Sequence, residues 1–186
     1  MDEMVDRITG LDPAGVLISE VFSSAQYILD PTDALFIDVH HTNNGLVAAG
    51  SPTNMGTVDI WYNYGLISFV KQIQPGCFQG LFYPVETDTC SHQRAIDYFA
   101  ESINPLAPDY NEFVGKDDNG NTVHVVGEDI PRHDLSSMFH GFQFYILMKW
   151  TTSQCFRSRD LYVTTNSESP FAQDQQTVLE IPWYEY

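Results

Sequence analysis

Asp12 and His92 are the residues of this sequence whose types and surroundings point to chemistry. A carboxylate and an imidazole are common partners in general acid–base catalysis. Asp12 follows Ile8-Thr9-Gly10-Leu11 and precedes Pro13-Ala14-Gly15, which puts it at the C-terminal end of a strand, where α/β sheets collect their functional groups. His92 stands far downstream in Cys90-Ser91-His92-Gln93-Arg94, beside a cysteine. Taken singly, each has a plainer reading, Asp12 as a turn aspartate and His92 as a surface histidine. Asp30-Pro31-Thr32-Asp33 reads by itself as a turn with a helix cap. His40, His41, His124, His133 and His140 have no metal-ligand spacing and read as structural or solvated.

The elements that must position these residues are short. Apolar, β-branched or aromatic runs at residues 5–9, 35–39 and 58–62 each end in polar turn residues, so each reads as a strand. The third stops at Asn63. Ala95, Ile96, Phe99, Ala100 and Ile103 recur at helical spacing behind Ser91, a good N-cap, which predicts an amphipathic helix over residues 92–103 with His92 at its start. Residues 116–121 form a turn signal joining two strands, the second over residues 122–126. Residues 142–150 and 161–165 read as two more strands, and residues 173–186 remain an unassigned tail. Strands with a helix between them indicate an α/β arrangement.

Composition narrows the function classes. The chain has 186 residues, 43% of them hydrophobic, enough for a core. Its 25 acidic and 8 basic residues give a net charge of -17, so nucleic-acid backbones and anionic membrane surfaces should repel it. No apolar run approaches the roughly 18 to 20 residues of a membrane-spanning helix. The acidic start, Met1-Asp2-Glu3-Met4-Val5-Asp6-Arg7, has no basic and apolar signal-peptide regions. Three cysteines cannot all pair within one chain. Cys77 and Cys90 would close a short loop and leave Cys155 over; the alternative is three reduced core thiols.

Several motifs occur in a telling order: Ile8-Thr9-Gly10-Leu11-Asp12-Pro13-Ala14, Leu29-Asp30-Pro31-Thr32-Asp33-Ala34, Asp38-Val39-His40-His41-Thr42, Gly56-Thr57-Val58-Asp59, Gln74-Pro75-Gly76-Cys77 and Cys90-Ser91-His92. In order and spacing they resemble the animal pancreatic-lipase family, which includes insect lipases and sn-1 phospholipases. The similarity runs over residues 7–172. It implies the C-terminal strands and helices of a doubly wound α/β-hydrolase sheet in a single partial lipase domain, acting outside the cell on lipid or phospholipid esters. By the same resemblance Asp12 is the acid and His92 the base of a Ser-His-Asp triad. Cys77 and Cys90 form the disulfide that closes the lid, around the apolar Phe78-Gln79-Gly80-Leu81-Phe82-Tyr83-Pro84-Val85. No cofactor is required, but Asp30 and Asp33, with the carbonyls of Ala25 and Ile28, are the expected ligands of a structural calcium.

The pattern is incomplete. No serine in these 186 residues has a glycine two positions before it, so the G-x-S-x-G nucleophile elbow and the oxyanion donor that follows it are absent. The expectation is a chain inactive alone, which requires the N-terminal half of the domain as its partner and which leaves an uncovered strand edge. The competing expectation is a non-enzymatic lipase-like module that binds or stores lipid. Smaller departures are Thr57 in place of a histidine, and His40 in place of an apolar residue before His41.

Overall fold

The computed structural model describes residues 4–15, 28–45, 48–65, 71–77, 84–103, 113–125 and 159–173. Seven elements follow in chain order: β1 (Val5–Leu11), β2 (Ala34–His41), β3 (Val58–Tyr62), α1 (Pro84–Ser102), β4 (Phe113–Asp117), β5 (Thr122–Val125) and β6 (Arg159–Val163). The six strands form one mixed sheet in the order β1-β2-β3-β6-β4-β5. The first four neighbours run parallel, while β4 is antiparallel to both β6 and β5. This is the expected α/β arrangement. Among the described residues, β1 pairs with β2 alone and ends the sheet, with Met4 and Val5 exposed at its start.

Both faces of β2 and β3 are covered, which is why β3 has all five residues buried and β2 seven of eight. One face packs Phe36, Val58, Ile60, Tyr62, Leu161 and Val163 with Tyr98 of α1 and Phe171. The other packs Ile37, Val39 and Met55 with Ile8, Ile28 and Leu29. Asn63 ends β3 as expected, in the left-handed region at φ 53°. The turn between β4 and β5 also forms as read. Asp117 accepts the backbone N–H groups of Asn119 and Asn121 on Oδ1, and Gly120 takes a positive φ of 86°.

The helix differs from its expectation in start and in face. It begins at Pro84, since proline suits the first helical turn, where no N–H partner is needed. Ser91 is therefore no cap, and His92 lies well inside the helix. The buried stripe is Thr87, Ser91, Ala95, Tyr98 and Ser102, while Ile96 and Ile103 are exposed. Hydrogen bonds make a polar stripe possible: the Ser91 hydroxyl accepts the Gln74 N–H, and Tyr98 Oη meets Gln74 and Thr165. Burial pushes the Tyr98 hydroxyl up to about 12.

Strand β6 runs over Arg159–Val163 rather than 161–165, and β5 ends at Val125. The strand expected at residues 142–150, Cys155, His133, His140 and residues 174–186 lie outside the described residues. Among the described residues no helix is long and apolar enough to cross a membrane.

Candidate active site

Asp12 is the first residue beyond β1. Its backbone N–H donates to the His40 carbonyl at 2.8 Å, extending the β1–β2 ladder by one step. It then turns sharply at φ 47°, a left-handed conformation that costs an L-residue about 1 kcal/mol and that aspartate tolerates better than most. The turn directs the carboxylate into the loop after β2. There Oδ1 accepts the N–H groups of Thr42 at 2.8 Å and Asn43 at 2.9 Å. Oδ2 accepts Nδ1 of His92 at 2.6 Å. With Asp12 only 1% exposed, three donors replace water around a charge that burial alone would disfavour.

His92 enters from α1 with its side chain 45% exposed. An ionised Asp12 only accepts, so Nδ1 carries the proton and Nε2 presents its lone pair. Among the described residues Nε2 has no hydrogen bond. The bond to Asp12 raises the imidazole above its ordinary 6.5, against a smaller opposing effect of burial. A held tautomer, a raised basicity and an accessible second nitrogen make this pair able to take up and return a proton.

Residues 71–77 link the loop that holds Asp12 to the helix that carries His92. Gln72 donates to the His41 and Tyr62 carbonyls and accepts the Asn44 N–H. Gln74 donates to the Thr42 and Tyr62 carbonyls, and its N–H reaches Ser91 of α1. A disulfide joins Cys77 to Cys90 within α1, two residues before His92. By loop-closure entropy such a bridge stabilises the fold by roughly 3 kcal/mol. The apolar residues 78–83 lie outside the described residues.

The remaining histidines of β2 are structural. His41 donates Nε2 to Asp59 at 2.7 Å and stacks on Trp61 at 3.7 Å. His40 bridges Asp38 and Tyr62, and burial lowers its basicity despite Asp38. Thr57, where the resemblance leads one to expect a histidine, accepts the Ile37 N–H on its hydroxyl at 3.1 Å. Asp30 and Asp33 close a turn. Asp30 Oδ1 accepts the N–H and hydroxyl of Thr32, and Asp33 Oδ2 accepts the Asp30 N–H. Ala25, the other expected carbonyl besides Ile28, lies outside the described residues.

Gly50 belongs to this site, and nothing in its sequence context announces it. It bridges Ala14 on one side and Asn44 on the other. A Cβ there would lie 2.5 Å from Asp12 Oδ1 and 2.7 Å from the Asn43 carbonyl. Gly50→Ala is therefore expected to push the carboxylate off its two amide donors and to destabilise the fold by about 1–3 kcal/mol. An NMR titration of His92 should show its midpoint moving back toward 6.5. An unmoved midpoint at wild-type stability would mean that the loop absorbs the methyl group elsewhere.

The chain is similar to known proteins over much of its length. Residues 1–171 match the Lipase family. Over 97 residues the chain is 40% identical to Phospholipase A1 of Vespa velutina, which covers 52% of this chain and 27% of that protein. It is 41% identical over 97 residues to Phospholipase A1 VesT1.02 of Vespa tropica, with the same coverage. Lipase member H of Mus musculus is 36% identical over 97 residues, 52% of this chain and 19% of the relative. The aligned part thus spans about a quarter or less of these relatives' length. By the match over nearly its whole length, and by the sheet that brings Asp12 and His92 together, the chain belongs to the Lipase family, in its pancreatic-lipase-like group, and is part of an α/β-hydrolase fold.

Proposed function

We propose that this chain supplies the acid and the base of an extracellular carboxylic ester hydrolase that acts on acylglycerols or on the sn-1 ester of phospholipids. One observation carries the reading: the buried Asp12 carboxylate, locked by two backbone amides, holds Nδ1 of the half-exposed His92 at 2.6 Å. In the proposed reaction, Nε2 takes the proton of a serine as the serine attacks the ester carbonyl. Asp12 stabilises the imidazolium, which then protonates the leaving alcohol. Water repeats the sequence on the acyl-enzyme.

The serine is to come from a G-x-S-x-G segment whose strand pairs along the side of β1 that has no strand partner among the described residues. The 186 residues without it are expected to turn over no ester. The Cys77–Cys90 disulfide supports an oxidising, extracellular setting. The apolar Phe78, Leu81 and Phe82 between the cysteines suit a lid that meets lipid.

To test this, the chain is joined to a relative's upstream segment bearing the serine elbow, and fatty-acid release is measured from phosphatidylcholine and trioctanoin vesicles. Hydrolysis that depends on both the serine and His92 supports the reading. Release no faster than with a serine-to-alanine control sinks it and favours a lipid-binding module. Because His92 acts as a neutral base and its basicity is raised, the rate should begin to fall on the acid side at a pH above 6.5.

The Asp30–Asp33 turn is a further part of the proposal. The turn engages one oxygen of each carboxylate, and the other oxygens, with the carbonyls of Ala25 and Ile28, would be the ligands of a hard divalent cation. Calcium at millimolar concentration should raise the unfolding temperature, and Asp30→Ala with Asp33→Ala should abolish the increase. An equal increase in the double variant would place any calcium elsewhere.

A further inference from the structure

Resting on the reading of Asp12 and His92 as acid and base, a second contact between α1 and the loop after β2 adds a positioning device. Asp88 lies one helical turn before His92, and side chains four residues apart share a helix face. His92 reaches Asp12, and Asp88 reaches Asn43, whose side-chain Nδ2 donates to Asp88 Oδ1 at 3.2 Å. Asn43 is also the residue whose backbone N–H holds Asp12 Oδ1 at 2.9 Å. The path from Asp12 through Asn43, Asp88 and one turn of helix to His92, and back to Asp12, is a closed ring.

Asn43 is fully buried and anchored on its other sides. Its Nδ2 also donates to the Gln72 carbonyl, its Oδ1 accepts the Ala49 N–H, and its carbonyl accepts the Gly50 N–H. It thus serves as a rigid post against which the helix registers. Lys71 Nζ lies 2.7 Å from the same Asp88 Oδ1 and pairs with its charge.

We infer that the Asn43–Asp88–Lys71 cluster is the pin that sets α1 at the height where His92 Nδ1 meets Asp12 Oδ2. Asp88 and Asn43 are positioning residues in this scheme and touch no reacting atom. The acceptor oxygen of residue 88 matters more than its charge, so asparagine should replace Asp88 where alanine does not.

The test reads His92 by NMR in the full 186-residue chain, through the far-downfield Nδ1 proton and the midpoint of the ring titration, with thermal unfolding followed alongside. Asp88→Ala and Asn43→Ala should each lose the downfield proton and bring the midpoint back toward 6.5. Asp88→Asn should keep both. Wild-type signals in Asp88→Ala overturn the pin, and so does a midpoint that moves as far in Asp88→Asn as in Asp88→Ala, since charge alone would then be responsible. Should Asp88→Ala fail to fold, Asn43→Ala read against Asp88→Asn decides the same question. These signals need no serine. An inactive completed protein with the expected His92 response sinks the hydrolase reading alone, whereas an active one without that response sinks the pin alone.

Discussion

In the protein completed with a serine elbow, Asp12→Asn is expected to lower kcat by about 10⁴ with little change in KM. The geometry dictates the cause. Oδ1 of Asp12 accepts two backbone N–H groups, so the amide oxygen of an asparagine must occupy that place. Its NH2 group would then face His92 Nδ1, which would have to accept. The imidazole proton would move to Nε2, the nitrogen that is to receive the serine proton. His92→Ala removes the base itself and should cost about 10⁶ in turnover. Nitrogen-15 NMR of the His92 ring checks the tautomer directly, even without the serine. A loss below tenfold for Asp12→Asn, with the Nδ1–H tautomer retained, would show that another group orients the base.

The largest expected loss of stability lies beneath the site, at Asp38. This fully buried carboxylate accepts Arg7 Nε at 2.7 Å and Nη2 at 3.0 Å, the Thr9 hydroxyl at 3.1 Å and His40 Nε2 at 3.2 Å. Burial would raise its pKa, but the hydrogen bonds from His40 and Arg7 together hold it below its ordinary 3.8. Asp38→Ala leaves a guanidinium and an imidazole without this acceptor, which should cost about 3–5 kcal/mol. The change would appear as a lower urea midpoint at constant m-value. A loss under about 1 kcal/mol would mean that water or a shifted Arg7 compensates.

The pH dependence of stability on the acid side of neutral has four contributions of known sign, and Asp160, raised by burial, favours the fold as pH falls. Asp38, depressed in the fold, stabilises above its unfolded value and loses that contribution as pH falls through its folded value. His40, also depressed, opposes folding as pH falls below 6.5, because the unfolded chain binds the proton more tightly. His92 acts the other way. Its raised value gives stability that is complete below 6.5 and is lost as pH rises through the folded value. Its exposed ring makes that contribution small. The losses from the fully buried Asp38 and His40 should outweigh the gains from His92 and Asp160, so the acid side should show the net loss.

Among the described residues β1, β2 and β3 were legible in the sequence because apolar runs ended in residues with turn chemistry, whereas β6 starts two residues before its expected bounds. β3 has the bounds that its composition indicates, and the β4–β5 turn forms around Asp117 and Gly120. The pairing of Asp12 with His92 was legible only through family resemblance, since residues so far apart meet through sheet order, which local pattern does not encode. The helix was misread at its start. Ser91 has the chemistry of a cap, but its hydroxyl is taken by the Gln74 N–H, a partner that appears only when residues 71–77 lie against α1. Its buried face was misread for a related reason. Tyr98 and two serines enter the interior because their hydroxyls find acceptors or donors there, while Ile96 and Ile103 remain outside.

By itself the sequence determined the α/β class, most of the described strand segments, the absence of a G-x-S-x-G elbow among these residues, and the net charge of -17. Tertiary structure alone decided the rest: that His40 and His41 are interior posts, that a Cβ at Gly50 would come within 2.5 Å of Asp12 Oδ1, and that Asn43 contacts both Asp12 and Asp88 of α1. Each depends on atoms distant in sequence approaching within hydrogen-bond or contact distance, which only the assembled sheet and helix bring about.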